Sequence, residues 1–352
     1  MIDARFDAER LLRFAAELLA GAGLPPDRAE VVADILVRAD LMGHDTHGLQ
    51  LLPKYLEDLQ AGRTAKEGDP AVVADHGGTL TWDGGYLSGP WLVHQAIETA
   101  CERVGRHGVV TVVIRRSHHI ACLAAYLKAV TDRGLVILLM SSDPSVASVA
   151  PFGSVEAVYT PNPIAAGFPT DGDPVLLDVS TSITTNGLTG RLHAQGAKLP
   201  HPWVQDAEGG ASDDPAVLFT QPPGTILPVG GPDHGHKGFA LGILVEALTA
   251  ALGGFGRADH PTQWGAAVFL QVIDPAAFGG RNAFARETGF FAGACRAARA
   301  GPGHRDVRLP GERGLARERE QLASGVRLYP GILDALCPWA ERLDVDMPEP
   351  RS

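Results

Sequence analysis

The sequence predicts an α/β protein in which a mixed, largely antiparallel sheet is flanked by helices and preceded by an N-terminal helical region. Two observations carry this prediction. Apolar side chains recur at helical spacing over the first sixty residues, and short β-branched runs broken by glycine follow from about residue 70. Helical and strand-like segments then alternate only partly, which favours a mixed sheet over a regular βαβ repeat.

The N-terminal region has the signals of three helices. The first is predicted over residues 7–19 and the second from Pro26 to about Met42. The third follows the polar turn from Gly43 to Gly48 and stops at Gly62. Proline just inside a helix and glycine just past its end are the usual boundary residues.

The remaining elements follow from the same two periodicities. Strands are predicted over residues 79–82, 109–114, 135–140 and 175–179, and helices over residues 89–105, from His119 to Gly134, and over residues 239–252. The last helix is apolar nearly all round, so we expect it to be buried. Residues 190–225 are rich in Gly, Pro and Asp and predict long loops, which often form a binding site. The charged run 313–319 predicts a solvated helix face.

We divide the chain into four regions. Residues 1–70 form the N-terminal helical region, and residues 71–115 form sheet and helix of the main domain. Residues 116–305 form the cofactor and substrate region, and residues 306–352 return to the main domain.

Composition excludes several classes of partner. The formal charge is −11 and basic residues are scattered, so we expect no nucleic acid and no membrane as partner. The four cysteines lie far apart, without metal-ligand spacing, which favours reduced thiols over disulfides or zinc. The chain begins without the layout of a secretion signal, and no apolar run approaches the ~20 residues that span a bilayer. We therefore expect a cytoplasmic protein.

His119 is the first candidate for chemistry. It follows a predicted strand at Ser117-His118-His119, with Ser117 placed to cap the next helix. An imidazole at such a junction can exchange a proton near neutral pH. The alternative is that these residues are only a polar helix start.

Two further polar segments are candidates. The turn from Gly43 to Gly48 carries His44 and His47, which could share a metal ion, although metal sites with only two protein ligands are scarce. Residues 230–238 form a glycine-rich segment with Lys237 that predicts either an anion-binding loop or a simple connection. No GxGxxG and no GxxxxGK[ST] motif occurs.

Six short motifs, taken in their order along the chain, resemble those of a known family. The ordered set is far more specific than any single motif. The motifs are Asp45-Thr46-His47-Gly48, Ser117-His118-His119, Asn162-Pro163-Ile164-Ala165, Asp178-Val179-Ser180-Thr181-Ser182, His236-Lys237-Gly238 and Leu309-Pro310-Gly311-Glu312. Over about residues 7–345 the chain resembles the malate/L-lactate dehydrogenase family of the sulfolactate dehydrogenase type. Ureidoglycolate dehydrogenase, diketogulonate reductase and the piperideine-2-carboxylate reductases belong to it.

The resemblance implies a non-Rossmann nicotinamide-binding fold, NAD or NADP as cofactor, and a homodimer. From the residues themselves we expect no metal. The resemblance accounts for the missing dinucleotide fingerprint. It implies that His119 exchanges the proton while hydride moves between the nicotinamide and the 2-position of a 2-hydroxy, 2-oxo or 2-imino acid. A group that titrates near neutral pH suits this role.

The resemblance also implies the other site residues. Thr46 and His47 match a catalytic pair on the substrate side, and the remaining substrate positions are Asn162, Leu51 and Ser117. The positions implied to contact the cofactor are Lys237, His236, Ser142, Asp178, Val179, Ser180 and Gly311.

The chain departs from the family at the substrate side. Leu51 stands where the family usually has an arginine, whose guanidinium can clamp a carboxylate through two hydrogen bonds. Thr160-Pro161 replaces a Gly-Thr pair, and Leu188 replaces a frequent lysine. We therefore expect a less acidic or bulkier keto or imine substrate, with Arg115 or Lys54 as substitute cations.

Three functions follow as hypotheses. The first is an NAD(P)-dependent oxidoreductase for a 2-oxo/2-hydroxy compound with an atypical pocket. The second is a cyclic imine reductase, distinguished by activity on a cyclic imine but not on the matching oxo acid. The third is a repurposed non-redox or ligand-binding protein, which would fail to bind nicotinamide cofactors.

Overall fold

The computed structural model describes residues 4–351, and its N-terminal region has the three predicted helices. They are α1 (Ala8–Gly21), α2 (Pro26–Met42) and α3 (Leu52–Gln60). Asp7 caps α1 by accepting hydrogen bonds from two backbone N–H groups. Gly43 ends α2 with φ of 85°, a conformation that favours glycine. Residues 1–3, the first residues of the stretch predicted to lack a secretion signal, lie outside the described residues.

A seven-stranded mixed sheet follows, as predicted. Its strands are β1 (Ala71–Asp75), β2 (Thr79–Asp83), β3 (Val109–Ser117), β4 (Val136–Ser142), β5 (Ile164–Phe168), β6 (Val175–Val179) and β10 (Ala266–Ile273). Their order is β1-β2-β3-β10-β4-β5-β6. The β2–β3 pair is parallel, connected by α4 (Gly89–His107), and the other pairs are antiparallel. β10 therefore joins the sheet halves on either side of the predicted boundary at residue 115, and the region boundaries remain a prediction.

The core lies where helices cover this sheet. Val112 and Ile114 of β3 and Val268 and Leu270 of β10 are fully buried, and they join one cluster with residues of α2, α4 and α5 (Ala124–Thr131). Each such side chain stabilises the fold by about 1.5–3 kcal/mol relative to exposure. This packing fixes the end of β3, where His119 follows.

The remaining elements complete the chain. The helices are α6 (Asn186–Ala194), α7 (Gly231–Glu246), α8 (Arg281–Ala297), α9 (Glu312–Ser324) and α10 (Ile332–Leu343). Residues 190–225, predicted as loops, also contribute to a small sheet of β7 (Val204–Gln205), β8 (Ala211–Ser212) and β9 (Thr225–Ile226). Within residues 4–351 no helix is both long and apolar enough to cross a membrane.

The helix predicted over residues 239–252 is present, but the prediction that it is buried is wrong. The segment is the second half of α7 and a following π-helical turn (Ala247–Ala251), and Leu241, Ile243 and Leu244 are 42%, 53% and 44% exposed. A pattern that is apolar all round does not tell which face the fold covers.

Glycines form most of the covered face of α7. The residues buried there are Gly231, Gly235, Gly238, Gly242 and Val245. A Cβ atom on Gly238 would lie 2.3 Å from the backbone nitrogen of Val229, and one on Gly242 would lie 2.7 Å from the ring of Tyr159. The glycines therefore let α7 lie directly against the loop before it, and this places its large apolar side chains outside.

The predicted helix cap at Ser117 is also wrong. Ser117 is the last residue of β3, is fully buried, and donates its hydroxyl proton to the carbonyl oxygen of His118 at 2.8 Å. α5 begins only at Ala124, whose N–H donates to the Asp178 carboxylate at 2.9 Å. The group that satisfies this helix start therefore comes from β6, far away in sequence, so no local pattern reveals it.

Candidate active site

A cavity of about 410 Å³ lies beside the loop that carries His119. The predicted site residues that line it are His119, His47, Thr46, Leu51, Ser142, Asp178, Ser180 and Asn162. Antiparallel register explains part of this set, because Met140 pairs with Ile164 and Ala165 pairs with Asp178. The end of β4, the start of β5 and the end of β6 therefore meet at one edge of the sheet.

The His119 ring is held on three sides. Its Nδ1 accepts the N–H of Ala121 at 3.2 Å and lies 2.8 Å from the hydroxyl of Tyr55. Trp264 stacks on the ring, with centroids 4.6 Å apart and planes inclined by 19°. Because Nδ1 accepts a backbone N–H, this pattern assigns the proton of the neutral ring to Nε2.

The environment favours the neutral form of His119. Burial lowers the pKa of His119 well below 6.5, and the neighbouring His47 and His118 lower it further. Tyr55 nevertheless offers a place for a second ring proton. Its oxygen can accept from a protonated Nδ1 while its own proton goes to the His119 carbonyl oxygen, 3.2 Å away. Protonation at Nδ1 would thus exchange the hydrogen bond from the Ala121 N–H for one donated to Tyr55.

A buried ion-pair network lies behind this ring. His118 Nε2 is 3.0 Å from an Asp58 carboxylate oxygen, and both side chains are 2% exposed. Lys54 and Arg63 donate to the other oxygen at 2.9 and 2.6 Å. Burial alone would raise the pKa of Asp58, but the hydrogen bonds from its three partners lower it.

This network corrects the prediction of substitute cations. Lys54 is engaged by Asp58, and Arg115 donates to Asp83 at 2.9 Å. Neither residue lines the cavity. Among residues 4–351, the cavity wall contains no lysine or arginine, whereas Asp143 and Asp178 contribute carboxylates. Burial raises the pKa of Asp143.

The turn after α2 forms the opposite wall. The Thr46 hydroxyl is 2.9 Å from His47 Nδ1, and the His47 ring is 6.0 Å from that of His119. Burial lowers the pKa of His47. Arg191 of α6 donates to Asp45 at 2.9 Å, so an ion pair braces this turn against α6.

One group of side chains could hold a metal. Ligand atoms of His44, Cys122 and Asp178 lie within 4.8 Å of one another, whereas His47, the predicted partner of His44, is not part of the group. Burial raises the pKa of the Cys122 thiol, which disfavours the thiolate that binds metals. The Asp178 oxygen that accepts from Cys122 also accepts the α5 N–H.

Two lining residues have side chains that are already engaged. Asn162 is fully buried, and its amide bonds Thr160, the carbonyl oxygen of Gly242 and the carboxylate of Glu246. The Ser142 hydroxyl is 2.8 Å from that of Thr249. Their predicted contacts with substrate and cofactor remain predictions.

Five predicted residues do not line this cavity: Ser117, Val179, His236, Lys237 and Gly311. Ser117 is fully buried under the backbone, so the structure places it away from any substrate. His236 and Lys237 lie exposed within α7, so the predicted glycine-rich loop is the first part of a helix. Gly311 precedes α9 and lies against Leu176.

Sequence analysis missed Tyr55, Trp264 and Asp143. Tyr55 belongs to the apolar stripe of α3 and shows no polar signal. Trp264 precedes β10 and reaches His119 because β10 lies beside β3. The only sequence signal for Asp143 is its position directly after the predicted strand β4.

A histidine-lined cavity at the edge of a mixed sheet, in a chain without a dinucleotide fingerprint, agrees with the class of non-Rossmann dehydrogenases that the sequence resembles. The chain matches the family model described as malate/L-lactate dehydrogenase over residues 6–337. It belongs to that family, and membership supports a dehydrogenase or reductase acting on hydroxy or oxo acids.

Individual proteins agree with this assignment. The L-lactate dehydrogenase of Cupriavidus necator is 31% identical over 96% of this chain and 97% of its own length. The malate dehydrogenase structure from Pyrococcus horikoshii superposes with a TM-score of 0.88 at 25% identity, covering 98% of both chains. The Δ1-piperideine-2-carboxylate reductase structure from Pseudomonas syringae gives 0.82 at 27%, covering 96% of this chain and all of that one.

Proposed function

We propose that the protein is an NAD(P)-dependent oxidoreductase that transfers a hydride between nicotinamide and a 2-oxo/2-hydroxy compound. The observation that carries the proposal is His119. Its ring lines the cavity, and in the protonated form it would donate the Nε2 proton to the substrate oxygen while its Nδ1 proton stays hydrogen-bonded to Tyr55. Oxidation would reverse this step, with the neutral ring accepting the proton at Nε2. General acid or base catalysis of this kind contributes about 10²–10⁴-fold in rate.

The cavity wall suits a nicotinamide ring because it combines apolar side chains with a few polar groups. Ser142, Asp178 and Ser180 would hold this end of the cofactor, and Lys237 and Gly311 would contact the rest. The bound nicotinamide supplies or accepts the hydride. His119 holds or moves the proton at the substrate oxygen, and His47, oriented by Thr46, binds the substrate from the facing wall.

The substrate is proposed to be less acidic than malate or lactate. Leu51 places an apolar group in the cavity wall, and the wall residues within the described chain carry no fixed positive charge. A carboxylate there would face Asp143 and Asp178 without a guanidinium partner. A neutral keto compound avoids this repulsion.

Cyclic imine reduction is the second candidate. The two carboxylates of the wall would stabilise a protonated imine, and the piperideine-2-carboxylate reductase is a structural relative. Turnover of a cyclic imine with none of the matching oxo compound would select this candidate.

The test begins with equilibrium binding of NADH and NADPH, followed by a carbonyl and imine panel. His119→Asn should lower turnover by about 10² or more while leaving cofactor affinity nearly intact. Normal turnover of this variant would refute the assignment of His119. Absence of cofactor binding would support a ligand-binding or non-redox function.

A homodimer is proposed from the exposed face of α7. Its exposed Leu241, Ile243 and Leu244 form a surface that a second copy of the chain would cover. Ile243→Asp should shift the protein towards monomer in sedimentation velocity. Val72→Asp, at another exposed apolar position, is the control and should leave the mass unchanged. A monomeric wild type would refute the proposal.

A cytoplasmic location is proposed on the state of the thiols. Cys101, Cys122, Cys295 and Cys337 are all free in the structure. Free thiols are the common state in a reducing compartment.

A further inference from the structure

A second cavity, apart from the one beside His119, lies along α9. Its volume is about 730 Å³, and six arginines contribute to its wall: Arg5, Arg308, Arg313, Arg317, Arg319 and Arg327. Three carboxylates accompany them, from Asp173, Glu312 and Glu320. The cavity is therefore locally basic on a chain whose formal charge is −11.

The carboxylates are already paired. Asp173 is 3.0 Å from Arg319, and Glu320 is 3.4 Å from Arg5. Glu312 pairs with Arg296, outside the cavity, and accepts the N–H of Leu309.

Three arginines of the cavity are not part of these ion pairs. Within residues 4–351, Arg308, Arg313 and Arg317 have no carboxylate within ion-pair distance. Arg317 lies against Gly43 at the end of α2, which fixes it at one side of the cavity.

All three arginines line this cavity. Arg313 and Arg317 are four residues apart in α9 and so share a face of the helix, and Arg308 comes from the segment before it. α9 begins at Glu312, so the positive end of its helix dipole lies beside Arg313. Guanidinium groups match phosphate oxygens through paired hydrogen bonds.

The sequence predicts that residues 313–319 form a solvated helix face, but in the structure this face has unfavourable repulsion between like charges. Like charges four residues apart destabilise a helix, and neither Arg313 nor Arg317 forms an ion pair with a described carboxylate. Asp40, the carboxyl group near Arg317, is buried and its pKa is raised to about 8, so it offsets little of this charge at neutral pH. A bound anion would remove this repulsion. We infer that the cavity along α9 is a binding site for a phosphate-bearing anion.

The phosphate has two possible sources. One is the 2′-phosphate of NADP(H), and this source rests on the proposed function, in which Gly311 next to the cavity contacts the cofactor. The other is a separate phosphate-bearing metabolite, which needs no redox function. The chemistry recognised is the same in both cases.

The test compares wild type with the double variant Arg308→Gln/Arg313→Gln by calorimetry, using pyrophosphate, NADPH and NADH as separate probes. Arg13→Gln/Arg106→Gln, which removes two exposed arginines from α1 and α4, is the matched control for net charge. Loss of charge-assisted hydrogen bonds should weaken phosphate binding about tenfold or more in Arg308→Gln/Arg313→Gln only.

Each outcome has a definite meaning. Weaker NADPH binding with unchanged NADH binding identifies the 2′-phosphate as the ligand, and equal weakening of both identifies the dinucleotide pyrophosphate. Weaker pyrophosphate binding with both cofactors unchanged identifies a separate metabolite. The inference is overturned if neither pyrophosphate nor NADPH affinity depends on the two arginines. The pyrophosphate arm remains informative even if the protein binds no cofactor.

Discussion

Tyr55→Phe tests how the site controls its proton. The substitution removes the hydroxyl 2.8 Å from His119 Nδ1 and keeps the ring, which packs edge-on against His118 at 5.1 Å and lies 6.1 Å from Trp264. The cavity shape is therefore preserved. The protonated imidazole of His119, however, loses the acceptor for its Nδ1 proton.

The magnitude follows from that hydrogen bond. A hydrogen bond to a charged group is worth about 1.5–3 kcal/mol, and one pKa unit corresponds to about 1.4 kcal/mol. The pKa of His119, already lowered by burial, should therefore fall by a further one to two units or so. Reduction needs the protonated ring, so its rate near neutral pH should fall about 10–100-fold.

The assay is the pH dependence of kcat/KM for reduction and oxidation, with the substrate found in the panel. Tyr126→Phe is the matched control, because Tyr126 is also buried and donates to Ile120, next to His119 in the chain, without touching the imidazole. The limb assigned to His119 should move to lower pH in Tyr55→Phe and stay in place in Tyr126→Phe. An unmoved limb in Tyr55→Phe would refute the role of Tyr55.

Two further predictions concern charge in and near the cavity. Leu51→Arg should raise kcat/KM for small 2-oxo acids about tenfold or more by supplying a guanidinium, whereas Leu51→Gln should not; equal effects would show that charge is not what the wall lacks. Asp40 is buried beneath the turn from Gly43 to Gly48, and burial raises its pKa to about 8. Because the folded state holds a proton that the unfolded state releases above pH 3.8, stability should fall as pH rises from there through 8. Asp40→Asn should flatten this loss in urea unfolding between about pH 6 and pH 9, and an unchanged slope would contradict the assignment.

The elements predicted correctly are those determined by residues close together in sequence, such as helix-end residues and apolar runs. Pro26 and Gly43 set the ends of α2, and the apolar runs gave the strands β4 and β6 close to their observed bounds. The partial alternation of helix and strand correctly predicted a mixed sheet. These features depend on residues near each other in sequence.

The parts that failed depend on distant contacts. α5 starts late because its first N–H meets Asp178 across the fold, and Trp264 reaches His119 through the pairing of β10 with β3. Lys54 could not be excluded as a substitute cation until its contact with Asp58 was seen. The resemblance supplied the family, but the charge balance of the cavity required the three-dimensional structure.

The stacking of Trp264 on His119 gives the protein an optical reporter of its own chemistry. An indole in contact with an imidazole loses fluorescence when the imidazole becomes protonated, and Trp264 contacts both His119 at 4.6 Å and His118 at 5.1 Å. Comparison with His119→Asn isolates the contribution of His119 in the resting protein, before any substrate is known. Trp264→Phe provides the blank, since it leaves the emission of the other four tryptophans.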